Sequence, residues 1–96
     1  MERSELILIL KQYKKNYQEK YRFNKIGIFG SAARDAAGAE SDIDIVIEQR
    51  EPDLFLLGSI KTDLEIQLNS KIDIVRIREG MNAFLKDRIE REAIYV

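Results

Sequence analysis

No cysteine and no histidine occur anywhere in this chain of 96 residues. The first absence excludes disulfides, thiol nucleophiles and cysteine-type zinc sites, and the second excludes imidazole bases and histidine metal ligands. Chemistry is left to carboxylates, hydroxyls, cations, backbone groups or a hard metal ion. Long apolar runs are missing too. The longest is Leu6–Leu10, against about 20 residues for a bilayer span. The opening Met1-Glu2-Arg3-Ser4-Glu5 has no basic region followed by a small-residue cleavage site, so a soluble cytoplasmic protein without membrane contact is expected. Nor does one charge dominate: 16 Lys and Arg face 17 Asp and Glu, leaving a net charge of -1. That balance argues against direct nucleic-acid binding through a broad basic surface. Proline appears once, and no repeat, linker or low-complexity tract divides the chain. At a length close to the usual domain size of about 100 residues or more, residues 1–96 are expected to form one domain with one modest core.

Apolar periodicity supplies the elements. Leu6, Leu10, Tyr13, Tyr17 and Tyr21 recur at helical spacing and predict a first helix of about five turns, with Ser4 as its cap. The three tyrosines fit either packing on a sheet or a partner surface. Lys25–Phe29 reads as a strand ending at Gly30-Ser31, and Ala32–Ala39 as a short helix and loop. The β-branched run Asp42–Ile47 predicts a second strand. Pro52-Asp53 marks a helix start, followed by a stripe of Leu54, Leu57, Ile60, Leu64 and Leu68 with Gly58 as a weak point; Asn69-Ser70 ends it. Lys71–Val75 reads as a third strand, and Met81, Phe84, Leu85 and Ile89 as a last amphipathic helix. The pattern predicts an α/β domain: a small three-stranded sheet flanked by about four helices.

The chemistry concentrates between Gly30 and Asp44, with Asp73 added from further along. Side chains two apart on a strand share a face, so Asp42 and Asp44 stand together while Ile43, Ile45 and Ile47 point the other way. Neighbouring carboxylates repel and raise a pKa. A divalent cation relieves the conflict, and all-oxygen ligands select Mg²⁺, with Mn²⁺ as a substitute. By itself the pair fits a solvated strand face equally well. Asp73, between Ile72 and Ile74, projects away from its strand's apolar side. If the strands are neighbours it completes a two-ion site or accepts a proton from an attacking hydroxyl; alone it is an ordinary exposed residue. Gly30-Ser31 lies where a strand passes into a helix, a place that suits a phosphate, although a serine there can simply cap the helix. Arg34 sits in the first turn, where the helix dipole disfavours a cation. It calls for an anion: a phosphate, one of the aspartates, or Asp35 beside it.

Taken together, Gly30-Ser31, a ten-residue spacer and Asp42-Ile43-Asp44 resemble the signature of the DNA polymerase β-like nucleotidyltransferases. The Ser-x-x-Arg and Ser-Asp-Ile-Asp wording and the chain's size are similar to the minimal nucleotidyltransferase group. Lys71–Val75 resembles that family's last carboxylate segment, and Ile89–Tyr95 its terminal helix. Asp35 departs from the pattern, since the family often has glycine after the arginine. The resemblance implies a mixed sheet of the polymerase β-like nucleotidyltransferase fold, with ATP as substrate and one or two Mg²⁺ ions held by Asp42 and Asp44. It further implies that Ser31 and the adjoining backbone, with Gly30 and Arg34, bind the nucleotide's phosphates. Asp73 completes the metal site and draws the proton from the acceptor. Members of this group are commonly antitoxins of HEPN-family RNase toxins, so the implied partner is such a toxin in a hetero-oligomer, with AMP placed on one of its tyrosines. An antitoxin that only masks its toxin is the alternative. Transfer to RNA or to a small molecule fits less well with the balanced charge and the short chain.

Overall fold

The computed structural model describes residues 1–34 and 42–96. The elements run α1 (Arg3–Tyr17), β1 (Phe23–Phe29), α2 (Gly30–Ala33), β2 (Ile43–Gln49), α3 (Leu54–Leu68), β3 (Ile72–Arg76), α4 (Ala83–Glu92) and β4 (Ile94–Tyr95). The alternation of helix and strand predicted from periodicity is present. The later part of the expected Ala32–Ala39 segment, with Asp35, lies outside the described residues.

α1 stops a turn earlier than the tyrosine spacing suggests. Arg22 takes a left-handed backbone, φ 54°, which turns the chain into β1. Tyr21 nevertheless keeps its helical bond to Tyr17 O (2.8 Å), so its ring still stacks on that of Tyr17 with centroids 5.4 Å apart. Tyr13 is buried and lies 4.7 Å from Tyr17 and 6.4 Å from Phe23. The tyrosine row therefore packs inward. Ser4 is not the cap: the helix begins at Arg3 behind Glu2, which makes no side-chain cap bond. The Arg3 guanidinium instead donates to Ala33 O (3.0 Å), tying the helix start to α2.

α3 begins as expected. The Asp53 side chain accepts from Leu56 N (3.0 Å), and Pro52 lies just before this cap. Asn69 ends the helix in the left-handed conformation. Ile60, Leu64 and Leu68 are buried, but Leu54 is 82% exposed, so the stripe's first residue stays outside the core cluster. α4 shows the same departure. Asn82 caps it through Leu85 N (3.1 Å), Ile89 is buried, and Phe84 is 88% exposed. Met81 is buried in the approach to the helix rather than within it.

Among the described residues the sheet has four strands, not the three expected, in the order β3-β2-β1-β4. β1 runs antiparallel to β2 and to β4, while β2 and β3 are parallel, so the sheet is mixed. β4 was expected as the end of a helix. It forms because Gly27, paired with Tyr95, has no side chain: a Cβ there would strike Ile94 O and come within 3.0 Å of Tyr95 Cα.

One face of the sheet, with Ile26, Ile28, Ile43, Ile45 and Ile47, packs on Leu6, Leu10 and Tyr13 of α1 and on Ile60 and Leu64 of α3. Ile43, Ile45 and Ile47 thus turn inward as the alternation predicts. The other face carries a smaller cluster of Phe29, Val46, Met81 and Ile89, supplied by α4 and its approach. No charged or polar residue is buried among the described residues, and no helix there is long and apolar enough to cross a membrane.

Candidate active site

Strand alternation decides where the acidic residues go. Asp44 has the parity of Val46, which belongs to the α4-side cluster, so Asp44 lies on that face. The parallel register sets Asp44 directly against Asp73. The antiparallel register sets it against Phe29, the last residue of β1. One end of the sheet thus brings together the exit of β1 with the starts of β2 and β3.

Gly30 continues from Phe29 and is buried at φ 66°. A Cβ at this position would strike Asp44 Oδ2 and lie 2.8 Å from Arg88 Nη2, so only glycine lets the chain turn here so close to the carboxylate. Ser31 follows in α2. It does not cap that helix, because the cap position is Phe29, with extended backbone and no side-chain cap bond. Its half-buried hydroxyl has no partner among the described residues.

Burial raises the carboxyl pKa of Asp44, and the charge of Asp73 raises it further. Arg88 opposes the shift, Asp42 adds to it and Arg34 opposes it. All four charged neighbours therefore act on one carboxyl group. Asp42 is exposed and precedes the first residue of β2, so the ladder does not hold it as it holds Asp44 and Asp73. Among the described residues no group of three carboxylates forms a ready-made metal cage.

Arg34 finds its anion in Glu92, Nη1 to Oε1 at 2.7 Å, rather than in an aspartate. Glu92 also accepts from Arg88 Nε at 3.2 Å. Partial desolvation works against ionisation of Glu92, but the Arg88 hydrogen bond, the charges of Arg34 and Arg88 and the Gly30 backbone hold its carboxyl below the usual value. Arg88 lies over the Phe29 ring, 5.6 Å from its centroid. Neither Arg88 nor Glu92, the latter within the Ile89–Tyr95 segment, was expected at the site from the sequence. Their spacing of four marks a shared helix face, yet nothing in the pattern tells that this face turns toward Gly30.

The donor set suits a hard cation. Two carboxylates face each other across adjacent strands, one of them holding its proton above the ordinary range because of burial and the other's charge. A divalent ion with oxygen ligands would remove that penalty. The residues present fit such a group.

Residues 10–96 match the family model described as polymerase beta, nucleotidyltransferase. A Methanocaldococcus jannaschii protein provisionally named a protein adenylyltransferase is 38% identical over 94 residues, covering 97% of this chain and 96% of that protein. The protein adenylyltransferase MntA of Thermococcus cleftensis is 31% identical over 93 residues, covering 96% and 93%. A solved structure provisionally described as a minimal nucleotidyltransferase superposes with a TM-score of 0.80 at 27% identity, covering 98% of this chain and 95% of that one. The fold also recurs, with a TM-score of 0.57 at 21% identity over 88% of this chain and 69% of that one, in a complex of tri-AMPylated Shewanella oneidensis HEPN toxin with MNT antitoxin.

Proposed function

The chain belongs to the polymerase β nucleotidyltransferase family, and we propose that it transfers AMP from ATP to a tyrosine hydroxyl of a HEPN-family toxin, acting as that toxin's antitoxin. The observation that carries this reading is the in-register pairing of Asp44 with Asp73 beside Gly30. It sets two carboxylates opposite one another where a strand passes into a short helix. The name of the Thermococcus relative supports adenylyl transfer to protein, and the toxin complex with the same fold supports the partner.

In this reading residues 1–96 act as one cytoplasmic unit. Gly30 leaves room for the triphosphate, and Ser31 donates its hydroxyl to a phosphate oxygen. Arg34 neutralises phosphate charge. Asp42 and Asp44, with Asp73, would hold one or two Mg²⁺ ions; when bound, these supply charge neutralisation on the α- and β-phosphates. Asp73 accepts the proton of the acceptor hydroxyl as its oxygen attacks the α-phosphorus, and pyrophosphate leaves. No covalent intermediate with the protein is needed, since such transfer rests on positioning and electrostatics. That is consistent with a chain without cysteine or histidine.

Incubating the chain with its toxin, Mg²⁺ and ATP labelled in the α-phosphate tests the reading. Label should appear on a toxin tyrosine, and Asp42→Asn and Asp44→Asn should each lower the rate by about a hundredfold or more. Toxin neutralised by both variants as well as by wild type, with no label, would establish masking instead.

A further inference from the structure

β3 is an edge strand, and no strand pairs with its outer side among the described residues. Ile43 N donates to Lys71 O (3.0 Å) and Ile77 N to Ile47 O (2.8 Å), so the odd-numbered residues of this stretch turn their backbone groups toward β2. The even-numbered residues turn theirs outward. The outward amide of Ile72 is covered by Glu65 Oε2 (3.4 Å). Those of Ile74 and Arg76 have no partner among the described residues.

A trough of about 460 Å³ runs along this edge. Leu54 and Leu57 of α3 form one wall, and Met81 and Leu85 form the other. Arg76 and Arg78 also line it, and neither is ion-paired among the described residues. Leu54 here is the exposed leucine that departs from the core stripe of α3. An edge strand, apolar walls and two unpaired guanidinium groups are what an added strand would use: main-chain bonds for affinity, side-chain pockets for specificity.

We propose that the β3 edge docks the acceptor protein through an extended segment of alternating apolar and acidic residues, added to the sheet beside β3. Its backbone pairs with Ile74 and Arg76, its apolar side chains enter the trough, and its carboxylates meet Arg76 and Arg78. Strands pair about 4.8 Å apart, so such a segment also brings a hydroxyl-bearing residue next to Asp73. The sheet edge thereby becomes the acceptor's route to the candidate active site. The inference rests on the adenylyltransferase reading for what the segment carries, while the docking itself is independent of it.

The test uses the whole chain with the toxin as probe. Hydrogen exchange at the Ile74 and Arg76 amides should slow by about tenfold or more when the toxin binds. The double variant Arg76→Glu/Arg78→Glu should raise the KM for toxin about tenfold, leaving kcat and the KM for ATP unchanged. Label transfer with no protection at those amides overturns the docking proposal and spares the adenylyltransferase reading. Protection without label transfer upholds the docking and overturns that reading. Protection that appears in the chain alone and grows with its concentration assigns the edge to a second copy, which also overturns the proposal.

Discussion

Asp44 and Asp73 are direct partners in the parallel β2–β3 ladder, although 28 residues lie between them in the chain. The pairing is unfavourable in itself. Like charges opposite one another in a sheet repel, and the raised pKa of Asp44 records both its burial and the charge of Asp73. A fold that keeps such a pair invites tests of what relieves it.

Removing the Asp44 charge should stabilise the free protein. Its folded pKa is raised, so between the unfolded value near 3.8 and the higher folded value the native state binds more protons. Stability therefore falls as pH rises through this window, and the penalty is complete above it. Asp44→Asn should raise Tm by about 2 °C at pH 7 and leave it unchanged at pH 3. Millimolar Mg²⁺ should raise the Tm of wild type and have a smaller effect on the variant. Thermal melts across pH, with and without Mg²⁺, check both.

Glu92 holds the guanidinium groups of Arg34 and Arg88, and it sits against the Gly30 backbone that a phosphate would approach. Glu92→Gln should release both cations and tighten ATP binding by about threefold to tenfold. Titration calorimetry reads this directly. An unchanged affinity would show that the phosphate uses neither arginine.

Gly27→Ala should cost about 1–3 kcal/mol in urea unfolding. The new methyl meets the backbone of Ile94 and Tyr95, and backbone yields less readily than a side-chain end. Loss of exchange protection at the β4 amides, with the β1–β2 pairing intact, would locate the damage.

Gly58→Ala should act in the opposite sense. This glycine is exposed within α3, and a Cβ there meets nothing within 4 Å. Alanine should add about 0.5–1 kcal/mol by restricting the unfolded chain and favouring the helix. The same urea titration serves, with activity unchanged.

Local signals in the sequence carried most of the elements. The Asp53 cap, the Asn69 stop and the β-branched runs need only their neighbours to be read. Local signals also misled where burial depends on a distant surface. Leu54 and Phe84 fit their helical stripes by spacing and are exposed nonetheless, because a stripe records which side of a helix is apolar and not how much of that side is covered. β4 escaped notice because two residues have no periodicity, and its pairing depends on a bare Gly27 far away in the chain.

From its own pattern the sequence determined which residues are apolar on which side of each strand, and therefore that Asp44 and Asp73 turn away from Ile43, Ile45 and Ile72. It also determined the glycine-serine turn and the acidic pair that mark the family. Only the tertiary structure decided the order and register of the strands, and with them the meeting of Asp44 with Asp73, the approach of Arg88 and Glu92 to Gly30, and the sheet edge at Ile74 and Arg76. The reason is physical: alternation is set by backbone geometry within a few residues, whereas register and neighbours are set by how separate faces pack against one another.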